Sequence, residues 1–368
     1  MYSRHPPNRV PFLALIPFLI LAICFLYVAG SSIFSPIPDP PPHPQTSSGV
    51  ESAPAEIMEE DSLPYLLYSA TDLPPTAADY YDLLYAVDPE IPSPPPQSIP
   101  EGCFPIVRKN LSYSPGGAIY LSNETSYSPD TAALAAMAWK GALPTLLQSG
   151  ANAEPIVLIY HTHGTEAFAD EGAYFAAPQD TFRSFNTEEN IVAVGAVLAE
   201  TLTENGIPTV HCTVMHDKDS YKNAYEASRK TILSYLEKYP SIRYILDIHR
   251  DSIVTTDGSH IKPVTKAADG NDIAQIMLVV GTDENGARHP NWKNNLSIAC
   301  KLQLRLNEAL PDFARPINLR KSSFLGQYAD GAMLVEIGSA ANTLSEAKAA
   351  AALFGETFSE LIRALGCA

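Results

Sequence analysis

Three short stretches of the chain carry side chains able to do acid–base or metal chemistry. They are Tyr160-His161-Thr162-His163-Gly164-Thr165-Glu166, Asp247-Ile248-His249-Arg250-Asp251-Ser252 and Leu334-Val335-Glu336-Ile337-Gly338-Ser339. Each contains or follows an apolar run that reads as a buried strand, so its polar residues fall at a strand end. Ends that are distant in number can meet in space when their strands share one sheet, and sites in open parallel sheets gather there. Imidazoles and carboxylates around a position left for water make a catalytic zinc site rather than a structural one. Each residue also has a structural reading. A single strand-end His is commonly only hydrogen-bonded, but His161 and His163 lie two apart with Glu166 close behind. The charged cluster around His249 directly follows an apolar strand and needs a reason. Glu336, enclosed by apolar neighbours, would be costly without partners, and a core salt bridge is its alternative role. His211 and His260 read as structural, while His216-Asp217 could border the site.

The elements that must position these residues alternate regularly. Ile156 to Tyr160 is a continuous apolar run, as expected of a strand buried on both faces. Thr187-Glu188-Glu189 can cap a helix whose apolar positions Ile191, Val194, Val197, Leu198 and Leu202 share one face, with Gly206 ending it. Strands are expected over 207–214, 243–249, 276–280 and 333–337. Helices are expected over 220–238, 294–310 and 345–365. This alternation predicts an α/β fold, a mostly parallel sheet with helices on both faces. Residues 101–155 read as a small leading subdomain with one helix, and 156–368 as the catalytic domain.

The first hundred residues differ from this. Residues 10–30 hold no charge, and about 31 Å of helix from them would cross a hydrocarbon core of about 30 Å. Arg4 and Arg9 precede the run, and no Lys or Arg follows until Arg108. That asymmetry puts residues 1–9 in the cytoplasm, 10–30 in the membrane and the rest on the extracytoplasmic side. A cleaved signal peptide is the alternative, with Val28-Ala29-Gly30 as its small-residue site. Residues 31–100 hold 16 of the 32 prolines, 11 acidic residues and no Lys or Arg, which reads as a disordered, acidic, Pro-rich linker. With 24 basic against 41 acidic side chains, net −17, the chain lacks the basic face a nucleic-acid binder needs. The five cysteines are scattered and suggest neither a disulfide framework nor a thiolate metal site.

The motifs as a set resemble a known family. Val157-Leu-Ile-Tyr-His-Thr-His-Gly-Thr-Glu-Ala-Phe168, Asn190 to Gly195, Asp247 to Ser252, His289-Pro-Asn-Trp292 and Met333 to Ser339 with Asn342 resemble stage II sporulation protein P. That family is related to the zinc-dependent N-acetylmuramoyl-L-alanine amidases. The resemblance covers about residues 101–368 and implies a sporulation hydrolase of peptidoglycan that cuts the muramoyl–L-alanine amide and peptide cross-links. It implies Zn2+ held by His163, Glu166 and His249, with Glu188 and His161 as rival ligands, and Glu336 as the catalytic carboxylate. Arg250 could then hold a substrate carboxylate, or pair internally with Asp251. Implied partners are stage II sporulation proteins D and M. A non-catalytic scaffold that binds glycan strands and a zinc peptidase are the competing functions.

Overall fold

The computed structural model describes residues 98–112, 119–138 and 153–366. The expected cytoplasmic segment, the membrane anchor and the linker up to residue 97 lie outside these residues. Among the described residues no helix is long and apolar enough to cross a membrane.

The described residues open with β1 (Phe104–Lys109) and β2 (Leu121–Asn123), then the short helix α1 (Thr131–Ala136), which Asp130 caps by accepting from Ala133 N. The strand β3 (Val157–Tyr160) follows, buried at all four residues, then the two-residue β4 (Phe175–Ala176). Helix α2 (Ile191–Glu204) starts at Asn190, whose side chain accepts from Val192 N, so the cap lies just past the Thr187-Glu188-Glu189 expected from the sequence. The strand β5 (Thr209–His211) leads to α3 (Ala224–Lys238), β6 (Tyr244–Asp251), β7 (His260–Lys266) and β8 (Asp272–Ala274). The order closes with β9 (Ile276–Gly281), α4 (Trp292–Ala309), β10 (Ile317–Arg320), β11 (Gly331–Ser339) and α5 (Leu344–Gly366).

The large sheet runs β2-β10-β9-β11-β6-β3-β5, and a smaller one runs β4-β1-β7-β8. In the large sheet every pairing is parallel except β9 with β11. In the small sheet β1–β4 and β7–β8 are antiparallel. The mostly parallel sheet expected from the sequence is therefore corrected to a mixed arrangement. The reason lies between β6 and β9. Parallel neighbours need a long crossover, usually a helix, but here only β7 and β8 intervene, and the chain re-enters the large sheet running the other way. Within residues 101–155, β1 pairs with β7 and β2 with β10, so these strands are joined to the two sheets.

Helices do cover both faces, unequally. One face packs Val157, Ile159, Leu246, Ile248, Val335 and Ile337 against α1, α2, α4 and α5 in one large core. On the other face Leu158, Tyr160 and Ile245 meet Ile232 of α3. Side chains alternate along a strand, so Asp247 and His249 share this second, thinly covered face with Ile245. The register completes the placement: Glu336 of β11 is the direct partner of His249 on β6, and Tyr160 of β3 is the partner of Asp247.

Candidate active site

Three adjacent strands, β3, β6 and β11, thus deliver His163, His249 and Glu336 to one region. The His163 and His249 rings meet edge to face with centroids 5.3 Å apart. Glu166, in the turn after β3, is buried, with Oε2 3.4 Å from His249 Nδ1. On the other side of that ring Nε2 lies 2.9 Å from Asp247 Oδ1 without hydrogen-bond alignment. Asp247 is fixed from the turn after β3, where Thr162 N donates to Oδ1 at 2.8 Å and Thr162 Oγ1 to Oδ2 at 2.6 Å.

The electrostatics of this cluster are those of a place built for positive charge. Burial opposes a charged His249, yet Asp247 and Glu166 overcome it and hold its pKa well above the ordinary value. Burial likewise opposes charge on Glu166 and Asp247, but His249 outweighs it for both, aided by Arg250 for Glu166 and by Thr162 for Asp247, so both titrate low. Burial and the neighbouring His249 lower the pKa of His163. Glu336 behaves oppositely: burial first, then Asp251, pushes its carboxyl up to about 8. Its Oε2 is enclosed without a hydrogen-bond partner.

Other sequence-derived candidates fall outside the cluster or take different roles. His161 is fully buried between two bonds. Its Nδ1 donates to Ile248 O at 2.9 Å, which leaves Nε2 to accept from His211 Nε2 at 2.8 Å. Neither nitrogen is left for a ligand. Glu188 is exposed on the turn before α2. Arg250, expected to grip a substrate carboxylate, is buried and occupied: Nε donates to Ala167 O and Nη2 to Phe182 O, while Nη1 lies 3.7 Å from Glu166 Oε1. Nor does it pair with Asp251, which bonds Arg315 Nη2 at 2.8 Å. His216 braces the site from behind, its Nδ1 donating to His161 O. His289 lies elsewhere, between Asn295 and Gly326.

Asp217, named with His216 from the sequence as a candidate border of the site, and Tyr221 and Tyr225, which were not, lie around the cluster. Asp217 accepts from Thr165 and from Arg183 Nη1, and its Oδ2 is 3.8 Å from His163 Nδ1. Tyr221 stacks on His163 at 4.1 Å, with Arg183 over the Tyr221 ring. Tyr225 meets the His163 ring edge to face at 5.8 Å. Asp217 directly follows His216, which hinted at it, and Asp247 lies two residues before His249 on the same strand face. Tyr221 and Tyr225 had no comparable signal.

The chain matches the model of the family described as Stage II sporulation protein P over residues 119–359. The chain belongs to this family. A relative carrying that same name, from Bacillus subtilis (strain 168), is 27% identical over 217 residues, which are 56% of this chain and 51% of that one. The chain thus spans about half the length of this family member. Solved structures similar to it include an N-acetylmuramoyl-L-alanine amidase of Nostoc punctiforme, at 12% identity and TM-score 0.31, covering 57% of this chain and 97% of that one. Another is the N-acetylmuramoyl-L-alanine amidase of Clostridium difficile 630, at 13% identity and TM-score 0.31, covering 58% and 97%.

The cluster's fitness for a metal in this family member rests on its own residues. Among the described residues no group of three or more His, Cys, Asp or Glu stands in ready coordinating geometry. The donor types nonetheless suit a zinc-like cation: two imidazoles and buried carboxylates. Both His163 Nδ1 and His249 Nε2 are buried without a hydrogen-bond partner. The His249 ring lies between Glu166 and Asp247, whose negative charge raises its pKa and would equally favour a cation.

Proposed function

We propose that this chain is a zinc-dependent cell-wall hydrolase of sporulation that cleaves the N-acetylmuramoyl–L-alanine amide of peptidoglycan. The observation that carries this reading is the register pairing of Glu336 with His249 beside His163 and Glu166. Membership of the sporulation family supports the substrate class. His163, His249 and Glu166 would hold the cation. When bound, zinc supplies a polarised carbonyl, a more acidic water and positive charge that lowers the proton affinity of nearby carboxylates.

The protein's own groups do the remaining work. Glu336 takes a proton from water as its oxygen adds to the amide carbon, then returns it to the leaving nitrogen as the C–N bond breaks. Arg250 and the backbone it grips hold Glu166 in place, and Thr162 holds Asp247 against His249. The uncharged run at 10–30, preceded by Arg4 and Arg9 and followed by no basic residue until Arg108, supports a membrane-held chain acting outside the cytoplasm, where stage II sporulation proteins D and M would be its partners.

The test is mass spectrometry of products released from purified peptidoglycan, with zinc and again after chelation. Free stem peptides released only with zinc are expected. Severed cross-links with stems still on the sugar would replace the amidase reading by a peptidase one. Glu336→Gln is expected to keep the fold and the metal while release falls about 10²–10⁴-fold.

A further inference from the structure

Beside a cation, an amide hydrolase gains from a hydrogen-bond donor to the carbonyl oxygen as negative charge develops on it, and ionised carboxylates cannot serve. Around this cluster the donors of three side chains are engaged, and the two unpartnered imidazole nitrogens face the place proposed for the cation. The Arg250 Nε and Nη2 groups serve the carbonyls of Ala167 and Phe182. The Thr162 hydroxyl donates to Asp247, and Arg183 Nη1 serves Thr165 and Asp217. Tyr225 differs from these. Its hydroxyl has no hydrogen-bond partner among the described residues, and its ring lies directly against His163, within electrostatic reach of Asp247, Glu336 and Glu166.

Its position is also fixed. Tyr225 sits in the first turn of α3, next to the fully buried Ala224. One turn on, Ser228 donates to Thr162 Oγ1 at 3.0 Å, tying the helix to the residue that holds Asp247. The ring is wedged between His163 at 5.8 Å and Phe324 at 6.1 Å, edge to face with both. Such packing leaves the ring little freedom and lets the hydroxyl rotor choose its acceptor. A tyrosine phenol is protonated at neutral pH, which is the form that donates.

We propose that Tyr225 is a catalytic residue whose hydroxyl donates a hydrogen bond to the carbonyl oxygen of the scissile amide. This rests on the hydrolase reading above. As the water oxygen bonds to the carbonyl carbon, the π pair moves onto the carbonyl oxygen, and Tyr225 stabilises that charge without giving up its proton. Glu336 carries the one proton that passes from water to the departing amine. When the C–N bond breaks, the carbonyl re-forms and the Tyr225 bond weakens again.

The experiment compares the full-length chain with Tyr225→Phe and with Tyr235→Phe, a control on the same helix. Stem-peptide release gives kcat and KM, competition with a chromogenic chelator gives zinc affinity, and thermal unfolding reports packing. For Tyr225→Phe we expect kcat to fall about 10²–10³-fold with KM, zinc affinity and unfolding midpoint close to wild type. Wild-type kcat in Tyr225→Phe would overturn the proposal. So would a fall matched by equal loss of zinc affinity or of the midpoint, which would mark Tyr225 as packing. If the wild-type chain releases nothing, the hydrolase reading itself fails and the inference with it.

Discussion

At the scale of the residue, burial decides which of two similar side chains can matter. Glu166 and Glu188 were rivals in the sequence, and only Glu166 is buried against His249 and Arg250. Glu166→Gln is therefore expected to weaken zinc binding by more than the roughly 10–100-fold typical of a supporting residue. Glu188→Gln should leave it unchanged, and competition with a chelator would read both. Glu336 gives a second prediction. Its folded pKa of about 8 lies above the ordinary Glu value, so the protein favours the neutral carboxyl. Stability from that preference is complete below about pH 4.3 and is lost as pH rises through the folded value. In zinc-free protein, Glu336→Gln should then raise the unfolding midpoint, with the gain growing up to about pH 8. A pH-independent difference would show that the enclosed carboxyl is not the titrating group.

At the scale of the element, the legible parts were those with a strong periodic signal. The strands β3, β6, β9 and β11 are nearly continuous apolar runs, and the apolar stripe of α2 follows helical spacing, so their placement could be read directly. The strands β4, β7, β8 and β10 could not. They are short, alternate or carry polar residues, and gain their stability from neighbours that a single sequence does not name. Tyr225 escaped for a related reason: it joins the cluster through the packing of α3, which Ser228 ties to Thr162 in the turn after β3. Helix α2 offers a test of how tightly elements meet behind the site. A Cβ at Gly195 would lie 2.6 Å from His161 Cε1 and Nε2, atoms of a ring locked by two hydrogen bonds. Alanine is the better helix former by about 1 kcal/mol. The overlap should win, and Gly195→Ala is expected to destabilise by about 1–3 kcal/mol in chemical denaturation.

At the scale of the whole molecule, negative charge is the common thread. The chain carries net −17, and the cluster itself gathers Glu166, Asp247, Glu336, Asp217 and Asp251 around two imidazoles. A cation that binds only the folded state should stabilise it by about 2.7 kcal/mol at 100 times its dissociation constant. Thermal unfolding of the full-length chain with zinc should show that gain, and chelation should remove it. An unchanged midpoint would argue against a resident metal.

One feature of the large sheet ties these scales together. Glu336 faces His249 only because β11 and β6 pair in a particular register, and strand side chains alternate with a period of two. A slip of one residue would send Glu336 into the helix-covered core and bring Val335 or Ile337 out in its place. No compact but misaligned version of the sheet could keep both a dry core and a carboxylate beside the imidazoles. On the proposed function, bond-cutting ability would thus report on folding fidelity, and a chain that mispaired would be silent rather than a loose hydrolase.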